Sequence, residues 1–216
     1  MNNNDKIRNI LEFYKITTEL KGIIRSGWKV WKADMERLES VAEHVYGCQM
    51  LAMAINSEFE LGIDIIKVSF MLAIHEIGEA IIGDIPATVS TMTKAEKQKI
   101  ELEAVEKILS PLNQCETIKK YYLEFEEKKT AEAKFAYLVD KLECDIQCKF
   151  YDEHNAFSMD VERPEKVRAK MELYESRGCK TLSSMFINYD IDTFYENEPV
   201  FKEIAQYVIS NRIFKS

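Results

Sequence analysis

The chain has 216 residues, and seven glycines and four prolines are few enough to argue against all-β folds, which need many turns. Apolar residues at 46% and charged residues at 31% are ordinary globular values and exclude dominant disorder. A formal net charge of −8 argues against a general nucleic-acid binder.

Ile7, Ile10, Leu11, Tyr14 and Leu20 recur at helical spacing and mark a first amphipathic helix. Residues 21–39 break that pattern with Gly22, Gly27 and both tryptophans, and read as a loop. Ser40 stands three residues before Glu43, the capping-box spacing, and opens a helix to about Asn56. Val45, Cys48, Leu51 and Ala52 should face inward on it. The stretch from about Ile63 to Ile82 is apolar nearly all round and predicts one buried central helix, stopped by Gly83 and Pro86. Its most apolar run, Val68–Ile74, falls far short of the ~20 residues of a membrane span.

A charged helix begins at Thr93 and ends before Pro111, and another passes through Tyr121 to Glu127. A long one, from about Thr130 to His154, carries Phe135, Leu138, Val139, Leu142 and Ile146 on one stripe. Two or three more helices follow between Pro164 and Phe214. No repeat, low-complexity stretch or linker interrupts the chain, so an all-α single domain is expected.

Five cysteines, an odd number in no regular framework, fit free thiols in a reducing compartment. Cys144 and Cys148 are one helical turn apart, but no second Cys/His pair accompanies them. They read as buried thiols rather than metal ligands. The opening Met1–Asp5 run shows no basic segment followed by an apolar one, and a cytoplasmic location is expected.

Two of the three histidines, His44 and His75, stand on the two most apolar helices. A lone core histidine is usually satisfied by one hydrogen bond; here the company shifts the weight. Glu76 adjoins His75, Glu79 lies one turn on along the same face, and Asp84 sits just past the helix end. Such groups are costly to bury unless paired or metal-bound. Downstream, Asp140 interrupts the stripe of the long helix. A pair with Lys141 is the plain explanation, but adjacent helix residues do not face each other. Two imidazoles and two carboxylates form a mixed nitrogen–oxygen set suited to Mn, Fe, Co, Ni or Zn. Glu79 and Asp84 are then left for acid/base work or for orienting ligands.

Four segments carry a family resemblance: Arg25-Ser26-Gly27-Trp28, Glu39–His44, the run from His75 to Pro86, and Tyr137–Glu143. Their order resembles the HD-domain phosphohydrolases, whose metal motif is His…His-Asp…Asp, and more finely the 5′-deoxynucleotidase branch. The likeness covers residues 7 to 155; the helices of 160–216 carry no motif. It implies a single HD-type helical bundle and a metal-dependent phosphomonoesterase acting on (deoxy)nucleoside 5′-monophosphates. The implied ligands of a divalent ion (Mn, Co, Fe, Ni or Zn) are His44, His75, Glu76 and Asp140. Glu79 becomes the catalytic acid/base and Asp84 its partner at the leaving group or sugar. Arg25 and Trp28 would hold phosphate and base, with Lys94 and Lys97 as further cations. The resemblance also implies a homodimer, while the acidic charge and the lack of a long apolar run lead to no nucleic-acid or membrane partner being expected. Two departures stand out: position 76 is Glu where the motif has Asp, and two residues separate Arg25 from Trp28 where the bacterial branch has an adjacent pair.

The chain lacks the His-Asp-x-x-Glu-Asp run of guanosine tetraphosphate hydrolases, the paired-histidine motif of triphosphate hydrolases and the Gly-Tyr-Pro signature of cyclic-dinucleotide phosphodiesterases. The rival readings are hydrolysis of another phosphate ester, a non-catalytic sensor of metal or nucleotide (favoured by Glu76), and a helical dimerisation module with structural histidines.

Overall fold

Side-chain caps set the helix starts. The Ser40 hydroxyl accepts from Glu43 N at 3.3 Å, and Glu43 Oε2 accepts from Ser40 N at 2.9 Å, closing the reciprocal box. Thr93 and Glu96 make the same exchange at 3.2 and 2.8 Å. The structure, a computed structural model, describes residues 2–86 and 91–214. Its helices are α1 (Asn3–Thr17), α2 (Ser26–Val30), α3 (Val41–Phe59), α4 (Ile65–Ile74), α5 (Glu79–Ile82), α6 (Lys94–Leu109), α7 (Glu116–Glu127), α8 (Ala131–Glu153), α9 (Glu165–Ser176), α10 (Leu182–Thr193) and α11 (Pro199–Ser210), with a 3-10 turn over Thr18–Lys21. Among the described residues there is no strand; an isolated bridge pairs Ile24 with Ser40. Among the described residues no helix is long and apolar enough to cross a membrane. The all-α expectation holds.

The chain divides into two compact units. The first comprises Met1–Arg25, Glu39–Ile85 and Ser90–Tyr137. In it Ile74 and Ile77 pack with Val105, Leu109 and Tyr122, and the Gln49 side chain donates to Ser69 O at 3.0 Å, tying α3 to α4. The second comprises Ser26–Leu38, Pro86–Val89 and Leu138–Ser216. Its core gathers Trp28, Trp31, Tyr151, Met171, Leu182 and Met185. The buried Arg163 guanidinium donates to the carbonyls of Trp31, Val161 and Ser158, at 3.0, 3.2 and 2.7 Å, and so closes that unit's loops.

Several readings of the sequence are revised. Residues 21–39 are not all loop: they contain α2 and the end of the 3-10 turn. The stretch 63–82 is not one helix. α4 stops at Ile74, and the backbone then bonds at the shorter i to i+3 spacing, with Ile77 N on Ile74 O and Glu79 N on Glu76 O, before α5 resumes. Gly78 explains the close fit of this turn, because a Cβ there would meet the backbone oxygen of Glu101 at 3.2 Å. Gly83 ends α5 at φ +75°, a region that favours glycine. On α8 Ile146 is half-buried, and the neighbouring Asp145 is fully buried instead, accepting from Tyr195 OH at 2.7 Å. The apolar stripe of α1 is open: Ile7, Ile10, Leu11 and Tyr14 are all exposed.

Candidate metal centre

The site begins with the cap of α3. Once Ser40 and Glu43 have locked the first turn, His44 N reaches Ser40 O at 3.1 Å and the imidazole is carried inward with no exposed surface. The neighbouring strand-like contacts, Arg25 N to Glu39 O at 2.9 Å and Val41 N to Ile23 O at 2.8 Å, hold the Arg25 backbone beside the start of that helix.

His75 caps the C-terminus of α4, at the head of the 75–78 turn. Its Nδ1 lies 2.7 Å from Leu72 O. A carbonyl only accepts, so Nδ1 carries the proton and Nε2 holds the lone pair a metal would need. The two imidazole rings stand 5.5 Å apart, centre to centre. Cys48, one turn beyond His44 on α3, places its sulfur 3.7 Å from His44 Nδ1 and 3.6 Å from Nε2. One donor atom from each of His44, Cys48 and His75 fits within 4.8 Å of the others, and all three residues are buried. Two imidazoles so placed, one with its tautomer fixed from behind, fit a divalent transition metal.

Glu76 sits at the edge of this group. Its Oε1 is 3.7 Å from His75 Nε2 and accepts a hydrogen bond from Arg25 Nη1 at 3.2 Å. Glu79 is 4% exposed, and its Oε2 has no hydrogen-bond partner among the described residues. Burial, then the negative charges of Glu76 and Asp84, push the Glu79 carboxyl up to about 10 against the opposing charges of Arg25 and Lys97. Its surroundings thus favour the protonated form of Glu79. Asp84 follows the Gly83 turn, half-buried. Lys97 donates to Ile85 O at 3.1 Å and pairs with Glu101 at 3.3 Å, whereas Lys94 lies exposed on the first turn of α6.

In the second unit, Asp140 is buried on α8 and Lys141 Nζ lies 2.9 Å from its Oδ2. The ion pair that helix geometry argued against is present, because the long lysine side chain folds back. Trp28 is 3% exposed, with its ring edge-on to Tyr151 at 5.1 Å, and offers almost no surface on which a base would stack. Cys48 is the residue that sequence reasoning placed inward without a chemical role. The signal was its spacing of four from His44.

Residues 17–177 match the HD domain family. The 5′-deoxynucleotidase HDDC2 of Xenopus laevis is 30% identical over 79% of this chain and 89% of its own. The 5′-deoxynucleotidase hdd1 of Schizosaccharomyces pombe is 34% identical over 68% of this chain and 74% of its own. In fold the chain resembles a solved structure described as a predicted metal-dependent phosphohydrolase from Magnetospirillum magnetotacticum. That match has a TM-score of 0.63 at 18% identity and covers 95% of this chain and 94% of that one. The chain belongs to the HD domain family.

Proposed function

We propose that this protein is a metal-dependent phosphomonoesterase that hydrolyses deoxynucleoside 5′-monophosphates to nucleoside and phosphate. The observation that carries the reading is a buried pair of imidazoles, His44 and His75, with a buried carboxyl group, Glu79, one turn beyond His75. The relatives named 5′-deoxynucleotidases support the choice of substrate.

In this reading His44, His75, Glu76 and Asp140 hold a divalent ion, Mn, Co, Fe, Ni or Zn. Asp140 is assigned from its place in the family motif and its burial on α8. When bound, such an ion supplies positive charge to the phosphoryl group and makes water a better nucleophile near neutral pH. The chain's own residues do the rest. Glu79 keeps its proton until the 5′-oxygen departs and then donates it. Burial, helped by the charges of Glu76 and Asp84, favours that proton on Glu79. Arg25 offers its guanidinium to the phosphate oxygens, exchanging part of its pairing with Glu76, and Lys97 adds positive potential nearby. Lys94, exposed on α6, is a weaker candidate for the same task. Trp28 is left without a substrate contact, given its burial. A cytoplasmic homodimer completes the proposal.

Phosphate release from the deoxynucleoside and ribonucleoside 5′-monophosphates, measured on metal-free protein reloaded with each ion in turn, tests it. Turnover of deoxynucleotides that depends on added metal is expected. Metal binding without turnover of any of them would make the protein a sensor instead.

A further inference from the structure

We propose that Cys48 is a thiolate ligand of the metal held by His44 and His75, so that the centre carries sulfur as well as nitrogen and oxygen and prefers zinc or cobalt to manganese. The proposal rests on the metal-binding part of the reading above and adds a donor that the His…His-Asp…Asp motif does not contain.

Spacing comes first. His44 and Cys48 are four apart on α3, so they share one face and lie one above the other. Both are completely buried, and His75 joins them at 6% exposure. The second argument is the distance. A tetrahedral zinc holds sulfur at about 2.3 Å and imidazole nitrogen at about 2.0–2.1 Å, which sets a sulfur-to-nitrogen edge of roughly 3.5–3.6 Å. Cys48 Sγ is 3.6 Å from His44 Nε2, which meets that edge, and 3.7 Å from Nδ1, just beyond it.

The third argument is competition among the acids. Glu76 shares its Oε1 between His75 Nε2 at 3.7 Å and the Arg25 guanidinium at 3.2 Å. Its carboxylate is thus drawn partly toward a cation, while the thiol stays against the histidines. Thiolate is a soft ligand and favours zinc and cobalt over manganese or magnesium, which prefer oxygen. Binding costs the thiol one proton, which is released to solvent as the metal–sulfur bond forms.

The test uses the full chain. It is stripped of metal with a chelator, reloaded with one equivalent of Zn or Co, and checked for bound metal. The zinc-loaded protein should show a sulfur scatterer at about 2.3 Å in X-ray absorption, and the cobalt form a near-ultraviolet thiolate-to-cobalt charge-transfer band. Cys48→Ser should abolish both while retaining the fold by circular dichroism, and should weaken zinc binding tenfold or more with a smaller effect on manganese. A metal-loaded wild-type protein with only nitrogen and oxygen scatterers overturns the proposal even if Cys48→Ser fails to fold. A band that survives in Cys48→Ser does the same. If such a protein still hydrolyses nucleotides, the proposed function stands and only the thiolate ligand falls. Failure of the wild-type chain to bind either ion removes both.

Discussion

Arg25 Nη1 lies 3.2 Å from Glu76 Oε1, joining residues 51 apart in sequence at the rim of the histidine pair. The pair fixes the end of a side chain one methylene longer than the aspartate of the family motif. Shortening it by one C–C bond withdraws the carboxylate by about 1.5 Å. Metal–ligand distances tolerate only about ±0.2 Å. Glu76→Asp should therefore weaken Mn or Co binding, although it restores the motif. Titration of both ions into the two forms checks this, and equal or tighter binding by the variant would remove Glu76 from the ligand set.

Glu79→Gln separates metal binding from chemistry. The substitution keeps the shape of the side chain and leaves His44, His75, Glu76 and Asp140 in place, but it removes the transferable proton. Metal content should stay at the wild-type level while kcat falls by ~10²–10⁴. Parallel loss of metal and rate would mean that Glu79 is a ligand.

His44→Ala, His75→Ala and Asp140→Ala should each lose metal and activity together. Bound metal stabilises the native state by mass action, by about 2.7 kcal/mol at a hundredfold excess over Kd. Added Zn or Co should raise the Tm of the wild-type protein and leave that of these variants unchanged. A variant that keeps both the metal-induced shift and full turnover would exclude its residue from the site.

What was legible in the sequence was local. Ser40 with Glu43 and Thr93 with Glu96 announce helix starts because each box closes within three residues. The order His44, His75-Glu76, Asp140 was legible as a motif. The break at His75 was not: Gly78 there lies so close to α6 that a Cβ would meet the Glu101 carbonyl oxygen at 3.2 Å, and a run of apolar residues says nothing of what lies across from it. Trp28 illustrates the same limit: its ring contact, Tyr151, is more than a hundred residues away in sequence. The periodicity of α1 identifies an apolar face but not whether anything covers it, and Ile7, Ile10, Leu11 and Tyr14 are exposed.

A stability–pH dependence follows from the second unit. Burial raises the Asp190 carboxyl to about 7 against the pull of Lys141 and Lys170, and Asp145, fully buried, is also raised well above the ordinary carboxylate range. The native state therefore holds protons that the unfolded chain has released above about pH 4. This stabilisation is complete below that pH and is lost as pH rises toward 7, with a slope approaching about 1.4 kcal/mol per pH unit per group. Urea midpoints should fall across this window, and Asp190→Asn should flatten the profile and raise stability at pH 8. A profile unchanged by the substitution would rule out Asp190 as its source.

Gly78 tests how closely the 75–78 turn is fitted to α6. Alanine ordinarily improves a helical segment over glycine by about 0.8–1.0 kcal/mol. At position 78, however, the new Cβ would stand 3.2 Å from Glu101 O, with Val105 Cγ2 at 3.4 Å. The nearer atom belongs to helix backbone and cannot swing aside, and overpacking of this kind costs about 1–3 kcal/mol. The cost exceeds the propensity gain, so Gly78→Ala should destabilise the protein by about 1 kcal/mol in urea. It should also loosen metal binding, because the same turn carries His75 and Glu76. Gly27→Ala is the matched control: on α2 nothing lies within 4 Å of its added Cβ, and it should be neutral or stabilising. Gly78→Ala as stable as wild type would show that α6 yields, and the close fit would then have no part in positioning His75.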